Sequence, residues 1–157
     1  MSQVNEAPRG AAEAVAAAIE TAMELVPFAR WLGLELTAIA DNRVYMRFAM
    51  RDEFVGNPER NILHGGITAS VLDTVGGFAA LLGVLSRGPQ TSNGADPSPW
   101  LSTIDMRTDF LRPGIGDDFT ACAFPLRVGN RLVVTRMELH TDPGGLIAVG
   151  TGTYVSP

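Results

Sequence analysis

The sequence is poor in the residues that build disulfide bonds and zinc sites. Its 157 residues include one cysteine, Cys122, and two histidines, His64 and His140. One thiol cannot form an intramolecular disulfide, and so few Cys and His residues do not supply a zinc site. The composition therefore predicts a protein of the reducing cytoplasm that holds no metal ion.

Charged residues are also scarce. They make up 18% of the chain, the net charge is −5, and basic side chains form no cluster. This balance argues against nucleic acid as the main partner. Hydrophobic residues make up 46%, which is a large apolar fraction for one small domain. We therefore expect the chain to bury part of its surface by forming a homodimer or homotetramer.

The sequence predicts neither a signal peptide nor a membrane-spanning segment. Its Ala-rich N-terminal stretch is interrupted by glutamates and lacks a basic region before it. The longest purely apolar runs are too short and too rich in glycine to span a bilayer. We expect a loose tail over residues 1–9 and a single domain over residues 10–157.

The order of predicted elements indicates an α+β fold. Residues 10–25 favour a helix, which Pro27 should end, and the apolar run 64–86 predicts a second, longer helix. Residues 87–99 have the composition of a flexible loop. Alternation and turn signals predict strands over 34–40, 43–51, 101–111, 118–126, 131–141 and 146–155. The last four strands are expected to form a meander.

One long apolar helix in such a protein must be covered by a curved sheet, which is the hotdog fold. Between Ile67 and Ser86 the single ionisable side chain is Asp73. A lone carboxylate in an apolar helix is costly to bury unless it is hydrogen-bonded or used. Asp73 is therefore either a structural acid, bonded to a neighbour such as Ser70 or Thr74, or a functional one.

The predicted start of the long helix is a second candidate for function. Gly65 and Gly66 would present open backbone N–H groups at the positive end of the helix dipole. Such groups can polarise a carbonyl and stabilise an oxyanion, although two glycines can also serve only a tight turn. His64 either contacts substrate or acts as an acid, or it only caps the helix, and we favour an orienting role. Asn57 and Asn61 either bind a substrate carbonyl or shape the loop.

The spacing of the two candidates has a consequence for assembly. Asp73 lies eight residues after Gly65, which is about 12 Å along an α-helix. One reacting carbon cannot contact both groups of the same chain. If both are catalytic, the helix start of one subunit must meet Asp73 of another, as two-fold pairing would allow.

Several short motifs are spread over the chain from Val26 onward. They are Val26-Pro27-Phe28, Trp31-Leu32-Gly33-Leu34, Gly56-Asn57-Pro58, Leu63-His64-Gly65-Gly66, Leu72-Asp73 and Phe110-Leu111-Arg112-Pro113-Gly114. Together they resemble the PaaI-type branch of the hotdog acyl-CoA thioesterases. The resemblance implies that Gly65 is the oxyanion donor, Asp73 the general base or nucleophile, and His64 the motif histidine.

The resemblance also implies roles for residues around these three. The family asparagine usually stands six residues before the histidine, where this chain has Pro58. Asn57 is therefore the candidate and Asn61 its rival. Thr103 matches a family Ser or Thr that helps to place the attacking water.

The implied reaction is hydrolysis of an acyl-CoA thioester without a cofactor. Gly66 would help to bind the substrate, Phe78 and Leu82 could line an apolar acyl channel, and Arg112 or Arg107 could contact the CoA phosphates. Two alternatives stay open: a hotdog enoyl-CoA hydratase or dehydratase, and a non-catalytic acyl-CoA-binding protein. The chain lacks the hydratase-type Asp-x-Asn-Pro-x-His run. It also lacks the Gly-x-Ser-x-Gly elbow of the α/β-hydrolases.

Overall fold

The computed structural model describes residues 9–87 and 101–155. The helices are α1 (Arg9–Leu25), α2 (Pro27–Leu32) and α3 (Gly65–Leu85), and a short 3-10 helix spans Asp52–Phe54. The strands are β1 (Glu35–Ala40), β2 (Arg43–Ala49), β3 (Val55–Asn57), β4 (Ile62–Leu63), β5 (Ser102–Phe110), β6 (Asp118–Val128), β7 (Leu132–Thr141) and β8 (Gly145–Val155). Most of the predicted tail and of the predicted loop 87–99 lie outside the described residues. The single domain over 10–157 stays a prediction.

An antiparallel sheet wraps around α3. Six strands form it in the order β1-β2-β6-β7-β8-β5, while β3 and β4 form a separate small hairpin. Along β2, Val44, Met46 and Phe48 are buried against the core and the residues between them are more exposed. This alternation is the signature of a strand with one face on the core. The predicted sheet around a long central helix, with an additional N-terminal helix, is confirmed.

Helix α3 is apolar because it is the core of the fold. It has 21 residues, and its most apolar 18-residue window has a mean hydropathy of 1.7, so by length and composition it could cross a membrane. In the structure, however, 61% of its most apolar window is buried inside the protein. Strands β2, β5, β6, β7 and β8 all contact it. Its hydrophobicity is therefore accounted for by packing against the sheet.

Glycines in α3 allow the sheet to approach closely. A Cβ at Gly76 would overlap the phenol oxygen of Tyr154 and lie 3.1 Å from Met137 Cγ. A Cβ at Gly83 would lie 2.8 Å from Val128 Cγ2. Each glycine costs about 1 kcal/mol of helix propensity relative to alanine. The close packing of helix on sheet offsets that cost.

The last four strands do not form the predicted meander. Strands β6, β7 and β8 are consecutive neighbours, but β5 pairs with β8 and lies at the sheet edge. The connection from β5 to β6 crosses the end of the sheet, where the N–H groups of Leu111 and Arg112 donate to Ile147 O. Further along, Leu63 N–H donates to Gly114 O at 2.8 Å. The Arg-Pro-Gly turn signal therefore marks a crossing rather than a hairpin.

Helix α2 was not predicted from the sequence. Helix α1 ends at Leu25, as expected from Pro27, but Pro27 then opens a new helix. Proline suits that position because the first N–H of a helix has no intrahelical partner. Gly33 ends α2 with a left-handed φ of 68°. The helix leaves Phe28 and Trp31 exposed and stacked, with ring centroids 5.8 Å apart.

Candidate active site

His64 shapes the turn at which α3 begins. It is the N-cap residue, and its Nδ1 accepts a hydrogen bond from Gly66 N–H at 2.8 Å. A neutral imidazole that accepts at Nδ1 carries its proton on Nε2. The structure thus engages the Gly66 amide within the cap and turns the Nε2–H of His64 to other partners.

Gly65 is the first residue of α3. Within the described ranges, its N–H donates no hydrogen bond. The Phe110 ring lies nearby, because a Cβ at Gly65 would be 3.4 Å from Phe110 Cε1. A free N–H at a helix N-terminus is a group that binds a carbonyl oxygen or an oxyanion. Of the two predicted glycine amides, Gly65 is the one open to a ligand.

Gly56 on β3 packs directly against His64 at this turn. A Cβ at Gly56 would lie 2.8 Å from His64 Cα and 3.1 Å from His64 Cβ. The backbone N–H of His64 donates to Phe54 O at 2.7 Å. A residue larger than glycine at position 56 would collide with His64. The close contact and the hydrogen bond together hold His64, the residue before α3, against the β3–β4 hairpin.

The two candidate asparagines are exposed, Asn57 as the last residue of β3 and Asn61 in the turn that leads to β4. Asn57 Oδ1 accepts a hydrogen bond from Arg60 N–H, three residues further along this turn, at 3.2 Å. Asn61 adopts a left-handed backbone with φ of 48°. Each therefore has a structural role in the turn, and the side-chain NH₂ group is the part of Asn57 that a substrate could bind.

Hydroxyl groups from two strands hold Asp73. Thr103 Oγ1 donates to Asp73 Oδ1 at 2.8 Å. The Tyr154 hydroxyl donates to the backbone O of Asp73 at 2.9 Å and lies 3.4 Å from Oδ1. Among the described residues no hydrogen bond reaches Oδ2. Of the anticipated structural partners, Thr74 instead donates its hydroxyl to the backbone O of Ser70 at 2.8 Å.

A cleft of about 240 Å³ opens beside Asp73. Its lining residues come from α2, α3, β8 and the start of β5: Val26, Phe28, Asp73, Thr74, Gly77, Phe78, Leu81, Leu101, Thr103 and Tyr154. Most of these are apolar, so the carboxylate stands at the wall of an apolar space. Phe78 lines the cleft as anticipated, whereas Leu82 is buried in the core. Gly65 does not line it, in agreement with the helix spacing.

Tyr154 is a site residue that the sequence analysis missed. Burial raises the pKa of its phenol above the ordinary value, and the negative charge of Asp73 raises that pKa further. The phenol therefore keeps its proton, and remains a donor, at any pH near neutrality. A single aromatic residue with a polar end in the glycine-rich last strand was the available signal.

The two candidate arginines lie near the Phe110 end of β5. Arg107 bonds Asp109 through Nε and Nη2 at 3.1 and 2.9 Å. Arg112 is exposed, and its guanidinium makes no ion pair within residues 9–87 and 101–155. Arg112 is therefore better placed than Arg107 to bind an anion.

The chain belongs to the thioesterase superfamily, whose family model matches residues 60–148. It is 39% identical over 132 residues to the medium/long-chain acyl-CoA thioesterase YigI of Escherichia coli, covering 83% of this chain and 85% of that protein. Human acyl-coenzyme A thioesterase 13 is 30% identical over 129 residues, covering 80% of this chain and 82% of the human one.

A solved structure agrees with the fold. A Shewanella oneidensis protein related to the thioesterase superfamily superposes with a TM-score of 0.82 and 39% identity, covering 96% of this chain and 100% of that one. The predicted hotdog fold, family and class of enzyme, a thioester hydrolase, are thereby confirmed.

Proposed function

We propose that the protein is an acyl-CoA thioesterase that cleaves medium- or long-chain acyl-CoA to the free acid and CoA. The observation that carries this proposal is the carboxylate of Asp73, which Thr103 holds by one oxygen at the wall of an apolar cleft. The named activities of the Escherichia coli and human relatives support acyl-CoA as the substrate.

In the proposed reaction Asp73 activates the attacking water. Its Oδ2 takes a proton from water as the water oxygen bonds to the thioester carbon. The Gly65 N–H donates to the carbonyl oxygen, which becomes the oxyanion of a tetrahedral intermediate. When the C–S bond breaks, the CoA thiolate receives the proton that Asp73 took from water, and the acid is released. In the alternative course, Oδ2 attacks the carbon itself, the C–S bond breaks with release of CoA, and water then hydrolyses the resulting anhydride to the free acid and the Asp73 carboxylate.

Strand β5 supports an active site shared between two copies of the chain. One end of β5 carries Thr103, bonded to Asp73, and the other carries Phe110, which lies against Gly65. Antiparallel pairing of β5 with its counterpart in a second copy would bring the Asp73 end of one chain beside the Gly65 end of the other. The pairing would create two equal sites, each with an acid and an oxyanion donor.

The surface of β5 favours such pairing. The strand is at the edge of the sheet, and Ile104 and Phe110 are 57% and 59% exposed. An exposed apolar edge strand tends to pair with another chain. A homodimer formed here, or a tetramer made of two such dimers, is the assembly that we propose.

The cleft beside Asp73 is the proposed site of the acyl chain. Ligand sites commonly have volumes of roughly 300–1,000 Å³, so a cleft of about 240 Å³ suits an alkyl chain better than a whole CoA molecule. Phe28, Phe78 and Leu81 supply much of its apolar wall. The CoA phosphates would then lie outside, near Arg112. The lone free Cys122 fits a location in the cytoplasm.

A panel of acyl-CoA thioesters, with release of free thiol as the readout, tests the function. We expect wild type to hydrolyse medium and long chains and Asp73→Asn to lose about a thousandfold in kcat. Asp41→Asn is the matched control, because Asp41 lies in the β1–β2 turn with φ of 51°, which asparagine tolerates. Full activity in Asp73→Asn would contradict the mechanism.

A further inference from the structure

Tyr154 reaches the middle of α3 from the inner face of β8. Its side chain is 1% exposed, and its hydroxyl donates to the backbone O of Asp73 while lying 3.4 Å from Oδ1. Thr103, whose hydroxyl also donates to Oδ1, is the direct cross-strand partner of Tyr154 in the β5–β8 pairing. Two neighbouring positions of the sheet therefore bind Asp73, Thr103 at the carboxylate and Tyr154 at the backbone carbonyl beside it.

Glycines on both sides make a slot for this side chain. A Cβ at Gly152 would lie 2.9 Å from the Tyr154 ring, and one at Gly76 would overlap the phenol oxygen. A phenylalanine would fill the same slot with its ring, so packing by itself does not require the hydroxyl. Burying a hydroxyl is costly unless it is hydrogen-bonded, and here its hydrogen bond goes to the residue that carries the carboxylate.

We propose that Tyr154 is a positioning residue for the hydrolytic reaction. Thr103 holds Oδ1 of Asp73, and Tyr154 holds the backbone carbonyl of the same residue with its hydroxyl 3.4 Å from Oδ1, so that Oδ2 is the oxygen presented to water in the cleft. This inference rests on the proposed function, because it assigns Tyr154 a part in the same reaction. Tyr154 contributes no proton to the chemistry and acts through the orientation of Asp73.

The Tyr154→Phe variant removes the hydroxyl and keeps the ring. We expect kcat to fall about five- to tenfold, the loss expected for one hydrogen bond, with KM changed less than about twofold because the ring still lines the cleft. Tyr45→Phe is the matched control. Tyr45 is the other tyrosine of the sequence, pairs with Cys122 in the β2–β6 ladder, and is not part of the cleft.

Gly76→Ala is a second variant, for the case in which Tyr154→Phe does not fold. It leaves the hydroxyl in the protein but places a methyl group where the phenol oxygen lies. We expect a similar loss of kcat with little change in KM. Combined with Tyr154→Phe it should add little further loss, because residues in contact are not additive. Wild-type kcat in either folded variant, or a loss confined to KM, would overturn the proposal.

Crystal structures of wild type and Tyr154→Phe separate this inference from the proposed function. If wild type and Tyr45→Phe hydrolyse no acyl-CoA, the proposed function fails whatever Tyr154 does. The positioning role is judged by the Asp73 carboxylate, which we expect to rotate in Tyr154→Phe. A carboxylate that keeps its orientation on Thr103 would overturn the role of Tyr154 even in an active enzyme.

Discussion

Thr103 on the edge strand donates a 2.8 Å hydrogen bond to Asp73 on the central helix. The bond ties the acid of the proposed site to the strand that lies open for pairing with a second copy. Formation of an interface along β5 and orientation of the carboxylate are thus linked through one side chain.

The first prediction concerns the Thr103 hydroxyl. Thr103→Val keeps the shape of the side chain and removes the donor. We therefore expect the activation free energy to rise by about 1 kcal/mol, which lowers kcat roughly fivefold. Steady-state kinetics on one acyl-CoA measures it. Thr151→Val on the same sheet is the control, because Thr151 pairs with Arg107 and lies away from the cleft. Equal kinetics in the two variants would show that the bond does not serve catalysis.

The second prediction concerns the shared site. Gly65→Pro removes the amide donor at a helix position that tolerates proline, and Asp73→Asn removes the acid. Each variant alone should be nearly inactive. Co-expression with two different tags should yield heterodimers with one complete site, recovering about a quarter of wild-type activity in a random mixture.

The matched control for this experiment combines two variants of the same half-site. Co-expressed Asp73→Asn and Asp73→Ala chains should recover no activity, because every site lacks its acid. Heterodimers of Gly65→Pro and Asp73→Asn that are no more active than this control would rule out a site built from two chains.

The third prediction concerns the exposed edge. Ile104→Arg places a charge on the apolar surface of β5, so we expect dissociation into monomers and at least a tenfold loss of activity. Light scattering coupled to size-exclusion chromatography gives the mass, and circular dichroism checks folding. Leu132→Arg, at the start of β7 and 45% exposed, should leave the mass unchanged. A dimeric Ile104→Arg variant would place the interface elsewhere.

The fourth prediction concerns the hairpin beneath the helix start. Gly56→Ala brings a Cβ within 2.8 Å of His64 Cα, and such overpacking costs about 1–3 kcal/mol. Urea unfolding measures the loss. Gly77→Ala is the control for stability, since its Cβ would lie 3.6 Å from Tyr154 Cε1, an ordinary contact. Gly56→Ala as stable as Gly77→Ala would mean that the hairpin adjusts freely.

The fifth prediction concerns pH. Because burial and the charge of Asp73 raise the pKa of Tyr154, the folded protein keeps a proton that the unfolded chain releases above about pH 10. Stability from this group is complete below that pH and declines as pH rises further. Urea midpoints at pH 9 and 11 should therefore differ more in wild type than in Tyr154→Phe. An equal decline in both proteins would exclude Tyr154 as a source of the effect.

Local patterns were sufficient to predict much of the fold. The alternation of Val44, Met46 and Phe48 predicted a strand with one buried face, and the apolar run before and after Asp73 predicted the central helix. Pro27 was a weaker guide, because a proline that ends one helix can equally begin the next. The residues of α2 carry no helix signal strong enough to decide between these outcomes.

Contacts between residues far apart in the sequence could not be predicted from local patterns. The edge position of β5 depends on pairing with β8, from which two strands, β6 and β7, separate it in the chain. The contact between Tyr154 and Asp73 joins residues 81 positions apart. Thr103, by contrast, was found because it matches a family position. Asp73 and the start of the central helix could be identified from the sequence alone. The hydroxyl groups that bind Asp73 come from β5 and β8, and the pairing of these strands is known only from the folded structure.

The edge position of β5 also bears on how the enzyme responds to its own concentration. In the proposed assembly a separate chain holds an acid with no oxyanion donor opposite it, so it binds an acyl chain without cleaving the thioester. The turnover rate per chain should therefore fall when dilution dissociates the dimer, and rise again when the chains reassociate. Synthesis of more protein would then increase the turnover of each molecule as well as the number of molecules.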